Sequence, residues 1–200
     1  MLTKLKQRVQ AILTIEAKIA HKLGLTPNRI SGTGIILAFL AAFAYAQWQT
    51  NRLCLLAAVV LLLFSGFCDA LDGVVARTYQ QTTPFGGFLD SLLDRYADAA
   101  VYTGIMISGL CDLLWGLIAL MGSLLVSYSR ARAEAAGMKM ETIGLAERAE
   151  RMIILLAATL IAFFWEPQTI MNWSIILLAV LSNLTVLQRS IYVYRKTKEE

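Results

Sequence analysis

Charge is scarce in this 200-residue chain: 16 % of its residues are Asp, Glu, Lys or Arg, against 58 % hydrophobic. A soluble domain cannot cover that much apolar surface with so few charges. The hydrophobic content also excludes disorder, and a composition of 3 prolines and 13 glycines excludes a collagen-like fibre. Cysteine is rare as well. Cys54, Cys68 and Cys111 are odd in number, lack CxxC spacing and fall in apolar stretches, so they read as small core residues rather than a disulfide framework. The single histidine, His21, lies on a basic segment and reads as solvated rather than as a ligand. What remains is an all-α integral membrane protein with no nucleic-acid partner, provided the apolar residues fall in runs long enough to cross a bilayer.

They do. No charged residue interrupts 31–50, 53–68, 99–111, 113–129, 152–165 or 167–188. Extended into the flanking residues, these runs predict six transmembrane helices at 31–50, 53–77, 85–110, 113–136, 147–165 and 168–194. They lack the alternation of a membrane barrel and exceed its strand length. Six spans would put both termini and the second and fourth connections on one side, together with every Lys and Arg except Arg52. The positive-inside rule makes that side cytoplasmic, in a multi-pass protein of the cell membrane. Trp48, Trp115, Trp165 and Trp173 lie mostly near the expected span ends, as an interfacial belt would.

Residues 1–29 lack the apolar stretch of a signal peptide. Leu2, Leu5, Val9, Ile12, Ile19 and Leu23 share one helical face, with Lys and Arg mostly elsewhere. That pattern suits an amphipathic helix on an anionic membrane surface; Glu16 on the apolar seam counts against a coiled-coil arm. Thr26-Pro27-Asn28 then punctuates the chain. Two units are expected: an interfacial segment, 1–29, and a six-helix membrane domain, 30–200.

Asp69, Asp72, Asp90, Asp94 and Asp98 all fall at or within the second and third expected spans. A carboxylate near mid-bilayer costs about 2.5–3.5 kcal/mol on insertion scales, so such residues have work to do. Asp69 and Asp72 are i, i+3 neighbours and Asp90 and Asp94 i, i+4 neighbours, so each pair shares a helix face. Two facing helices would bring four carboxylates to one spot. Arg77 and Arg95 cannot balance them, and hard divalent cations are the natural counter-charge. With no His or Cys in the set, Mg²⁺ or Mn²⁺ is favoured over zinc.

The spacing Asp69-x2-Asp72-Gly73-x2-Ala76-Arg77-x8-Gly86-x3-Asp90-x3-Asp94 resembles, at every fixed position, the signature of the CDP-alcohol phosphotransferase family. That resemblance implies transfer of a phosphate-linked group from a CDP-linked lipid to an alcohol with release of CMP, and it implies a homodimer. It assigns Asp69, Asp72 and Asp90 to two metal ions, with Asp94 touching metal or taking the proton of the acceptor hydroxyl. Two ions about 3.5–4 Å apart would clamp the diphosphate during in-line displacement. Gly73 and Gly86 would let the nucleotide approach the backbone, Ala76 would keep that face open, and Arg77 would hold phosphate oxygens. Close helix packing also explains Gly73, Ala76 and Gly86. Asn28 and Thr83 match positions that contact the nucleotide in the family. Asp98 lies outside the signature and is expected to order a neighbouring basic side chain.

Arg130, Arg151 and Arg189 come from three different expected spans and would converge as a pocket for a phosphate dianion, which a neutral acceptor would not need. The segments 127–137 (Ser-Tyr-Ser-Arg-Ala-Arg-Ala-Glu-Ala-Ala-Gly) and 147–151 (Glu-Arg-Ala-Glu-Arg) resemble the branch comprising phosphatidylinositol phosphate and archaetidylinositol phosphate synthases. Arg130 departs from that branch, whose bacterial members usually carry Lys there. The resemblance implies inositol phosphate as acceptor, bound by Arg130, Arg151 and Arg189. A phosphatidylglycerophosphate synthase using glycerol 3-phosphate is the nearest alternative; an intramembrane prenyltransferase and a cation transporter with buried carboxylates are more distant ones.

Overall fold

Each of the three prolines opens a helix. Pro27, Pro84 and Pro167 stand at first helical positions, where the missing N–H breaks no bond and the fixed φ suits the turn. The computed structural model describes residues 14–140 and 143–199. Its elements are α1 (14–22), α2 (Pro27–Ala46), α3 (Leu53–Thr78), α4 (Pro84–Ile107), α5 (Leu113–Ala135), α6 (Arg148–Phe164) and α7 (Pro167–Glu199). Thr83 Oγ1 caps α4 by accepting the Gly86 N–H at 3.0 Å, and Asp112 Oδ1 caps α5 by accepting that of Leu114 at 2.9 Å.

From α2 onward the helices alternate in direction and are tied at both ends. At one end Trp48 Nε1 and Gln49 Nε2 each donate to the Ser108 carbonyl at 3.0 Å. At that same end Arg52 donates to the carbonyls of Ala162 and Trp165. The opposite end holds α1, the acidic cluster and the loop between α5 and α6. Along the bundle α2 packs on α3 and α4, α5 on α4 and α7, and α6 on α3 and α7. Tyr45, Leu55, Ile105, Met171, Ile175 and Leu178 form the fully buried centre, where the Tyr45 and Thr159 hydroxyls are hydrogen-bonded at 2.6 Å. Small residues permit the close crossings: a Cβ on Gly104 would run into the Ala42 carbonyl oxygen.

The expectation of six transmembrane helices is corrected. Among the described residues, four helices are long and apolar enough to cross a membrane: α2, α3, α5 and α7. The other two fail for identifiable reasons. α4 carries Asp90, Asp94, Arg95 and Asp98 along its length. α6 has only 17 residues and opens on Arg148, Glu150 and Arg151. Joining a short apolar run to its charged neighbours therefore identified a helix correctly and a membrane span wrongly. Large apolar side chains such as Phe43, Leu63, Phe64, Ile153 and Leu187 face outward, as a multi-pass membrane protein requires.

In α1, Ala17 and Ala20 pack against Ile30, Leu71 and Val75, while Ile15, Ile19 and Leu23 stay exposed. Leu2, Leu5, Val9 and Ile12 of the expected amphipathic face lie outside the described residues. His21 is exposed and stacks on Tyr79 with ring centroids 3.7 Å apart. The three cysteines are free thiols, Cys111 buried and the others half-buried.

Candidate active site

α2 packs on both α3 and α4, and the aspartates of the last turns of α3 and the first turns of α4 reach toward one another around a common void. One carboxylate oxygen from each of Asp69, Asp90 and Asp94 lies within 4.8 Å of the others. Asp72 joins them around the same void of about 20 Å³. Ser31 on α2 donates to Asp72 Oδ2 at 2.5 Å, fixing its rotamer from outside the pair of helices. Burial and the neighbouring carboxylates raise the Asp90 and Asp94 carboxyls above their ordinary range, with Arg148 pulling the other way. These hard oxygen donors, partly buried and mutually repelling, suit a divalent cation such as Mg²⁺ or Mn²⁺.

The aspartates form a partition between two cavities. On one side, a cavity of about 200 Å³ is lined by Asn28, Gly73, Ala76, Arg77, Thr83 and Gly86, with Asp72 and Asp90 in its wall. Every residue matched to nucleotide contact is therefore in one place. The glycines leave room there: a Cβ on Gly73 would stand 3.2 Å from Arg77 Nη1, and one on Gly86 would stand 3.0 Å from Thr83 Oγ1 and 3.3 Å from Asn28 Oδ1, close enough that these side chains would have to shift.

On the other side, a cavity of about 550 Å³ is lined by Asp69, Asp94, Arg130, Arg148, Arg151 and Arg189, among others. The three arginines expected to meet a phosphate thus share one space, but they are held differently. Arg130 is half-buried, its side chain 43% exposed, and pairs with Glu134 at 2.9 Å. Arg151, 4 % exposed, donates to the Ala146 carbonyl, Ser123 Oγ and Asp98 Oδ2 at 3.0, 3.0 and 3.2 Å. Arg189, 2 % exposed, donates to the carbonyls of Ile143 and Val126 at 2.8 and 2.5 Å and to Glu147 at 3.1 Å. Asp98 orders Arg151 and also accepts from Ser123 Oγ at 2.5 Å.

Two members of the site have no role assigned from the sequence, although Arg148 falls within the 147–151 segment. Ser31 lies three residues after Asn28, on the α2 face turned to Asp72. Arg148 lies three before Arg151 on the same face of α6, a spacing that marks both as candidates. Its Nη1 sits 2.8 Å from Asp69 Oδ2 and 2.9 Å from Asp94 Oδ1. Its Nε is 3.5 Å from Asp98 Oδ1 and makes no hydrogen bond.

A cluster of carboxylate oxygens that could hold a divalent ion lies between two cavities of a helical membrane bundle, and the chain belongs to a family of phosphotransferases, the CDP-alcohol phosphatidyltransferase family, whose model matches residues 24–188. Among its relatives, an archaetidylinositol phosphate synthase of Methanothermobacter thermautotrophicus is 44% identical over 180 residues, covering 90% of this chain and 89% of the relative. The crystal structure of phosphatidylinositol phosphate synthase from Mycobacterium tuberculosis with CDP-DAG bound superposes with a TM-score of 0.78 at 31% identity. That match covers 92% of this chain and 94% of that one. The same enzyme in complex with manganese and citrate also matches with a TM-score of 0.78 at 31% identity, over 91% and 88% of the two chains. Membership in this family sets aside the prenyltransferase and the cation transporter.

Proposed function

We propose that the chain transfers the phospholipid group of a CDP-linked lipid, CDP-archaeol or CDP-diacylglycerol, to myo-inositol phosphate, giving the inositol-phosphate lipid and CMP. The observation that carries this reading is the partition: four aspartates separate the cavity holding the nucleotide signature from the cavity rimmed by arginines. A donor diphosphate and a phosphorylated acceptor therefore meet at one point from opposite sides.

Asn28, Thr83 and the backbone at Gly73 and Gly86 receive the cytidine half, and Arg77 forks onto phosphate oxygens. Arg130, Arg151 and Arg189 hold the acceptor's phosphate so that its free hydroxyl points at the partition. Asp69, Asp72, Asp90 and Asp94 would hold two divalent ions, Mg²⁺ or Mn²⁺, whose charge stabilises the attacking and leaving oxygens. The inositol oxygen bonds to the lipid-side phosphorus as the bond from that phosphorus to CMP breaks, and Asp94 takes the hydroxyl proton as negative charge leaves the attacking oxygen. The names of the relatives support inositol phosphate as acceptor, and so do the arginines.

The basic end of the bundle faces the cytoplasm, and two copies associate, as in the family the sequence resembles. Ile15, Ile19 and Leu23 of α1 lie in the lipid surface, and the catalytic unit begins with α2, which carries Asn28. The test is CMP release from purified protein given CDP-archaeol or CDP-diacylglycerol, each with labelled inositol phosphate or glycerol 3-phosphate. Product from inositol phosphate is expected. Product from glycerol 3-phosphate alone would replace the acceptor assignment with the phosphatidylglycerophosphate one.

A further inference from the structure

Arg148 occupies a position that neither the signature nor the arginine pocket requires. A single nitrogen, Nη1, lies 2.8 Å from an oxygen of Asp69 and 2.9 Å from one of Asp94. Those two residues are also members of the triad whose oxygens converge within 4.8 Å. Asp69 and Asp94 are among the residues that would hold a divalent cation, and such an ion would compete with the guanidinium for their lone pairs and repel it. Arg148 also lines both the void between the aspartates and the large arginine-rimmed cavity beside it. Its Nε has no hydrogen-bond partner and lies 3.5 Å from Asp98 Oδ1, so moving the head off Asp69 and Asp94 gives up one long ion pair at that atom and no hydrogen bond.

We propose that Arg148 is a positioning residue that stands in for the metal: it neutralises Asp69 and Asp94 until an ion displaces it, and then turns into the acceptor cavity as a fourth cation for the acceptor's phosphate. Metal loading thereby readies the acceptor site. The second half of this rests on the inositol phosphate reading above, while the first half does not.

Mn²⁺ binding to the purified full chain without substrate, followed by the electron paramagnetic resonance of free Mn²⁺, tests the first half. Arg148→Gln is expected to bind Mn²⁺ about tenfold more tightly than the native chain. Arg95→Gln is the control for simple proximity of charge, since Arg95 Nη1 lies 3.6 Å from Asp94 alone, and it should change the affinity less. An unchanged or weakened Mn²⁺ affinity in Arg148→Gln overturns displacement. Should that variant fail to fold, Arg148→Lys keeps the charge without the fork and is expected to gain affinity by a smaller factor; no gain overturns the idea equally. At saturating Mn²⁺, Arg148→Gln should raise the KM for inositol phosphate about tenfold while kcat changes less. An unchanged KM removes the acceptor role. If the native chain releases no CMP with inositol phosphate, the acceptor reading alone fails, and the Mn²⁺ titration still decides displacement.

Discussion

Arg130 and Arg189 bring the same charge to one cavity but hold it by different means. Arg130 is half-buried on the last turns of α5 with 43% of its side chain exposed, so its removal takes away a phosphate fork and less packing than removal of Arg189. Arg189 is buried and satisfies the carbonyls of Val126 and Ile143 together with Glu147. Removing it leaves the carbonyls unsatisfied, at about 1–3 kcal/mol for each buried group, while Glu147, 39 % exposed, can turn to solvent. Arg130→Ala is therefore expected to raise the KM for inositol phosphate about tenfold or more with a melting temperature near that of the native chain. Arg189→Ala should lose both binding and thermal stability. Equal melting temperatures for the two variants would contradict the assignment. The charges themselves could be read from the sequence, because aspartates at a fixed spacing and arginines beside apolar runs cost too much in a membrane to be kept without a role. How the charges are shared could not. Arg148 meets Asp69 and Asp94 only once α3, α4 and α6 are packed, and the sequence distance between those partners hides the contact. The same holds for Ser31 and Asp72.

At the scale of elements, the helices were legible because apolar runs and three prolines mark them. Which of them are fit to span was not legible from charge-free runs alone. α4 spends its charged turns on the site, where Arg148 and Arg95 compensate them, and α6 begins only at Arg148 and so stays short. The α2–α4 contact is the crossing on which the site most depends, because α2 carries Asn28 and Ser31 and α4 carries Asp90 and Asp94. At Gly104 the backbone lies close enough to the Ala42 carbonyl that no Cβ would fit. Gly104→Val must push the helices apart and is expected to cost about 1–3 kcal/mol or more. Thermal unfolding in detergent reads this directly. A valine variant as stable as the native protein would mean that the crossing is looser than the Gly104–Ala42 approach requires.

At the scale of the whole molecule, the charges divide between the two ends of the bundle. Arg52 is tied to the carbonyls of Ala162 and Trp165 at one end, while the described lysines and the other arginines cluster toward the site end. Moving the basic end across a bilayer during insertion is costly, and the cytoplasmic retention of basic loops follows. The aspartates lie at that end as well, so in the proposed orientation the acceptor and metal would come from the cytoplasm and the donor lipid from the bilayer leaflet beside it. Lys139, in the α5–α6 loop, and Asn51, in the α2–α3 loop, are exposed at opposite ends. In a chain whose Cys54, Cys68 and Cys111 are replaced by alanine, Asn51→Cys in intact cells should react with a membrane-impermeant maleimide. Lys139→Cys should react only after the membrane is opened. The reverse pattern would place the active site outside the cytoplasm, and labelling of both from outside would deny that the two ends lie on opposite faces of the membrane. Because α4 and α6 lack the apolar length of the other four, this labelling reports how the whole bundle sits without depending on how deeply those two helices enter the lipid.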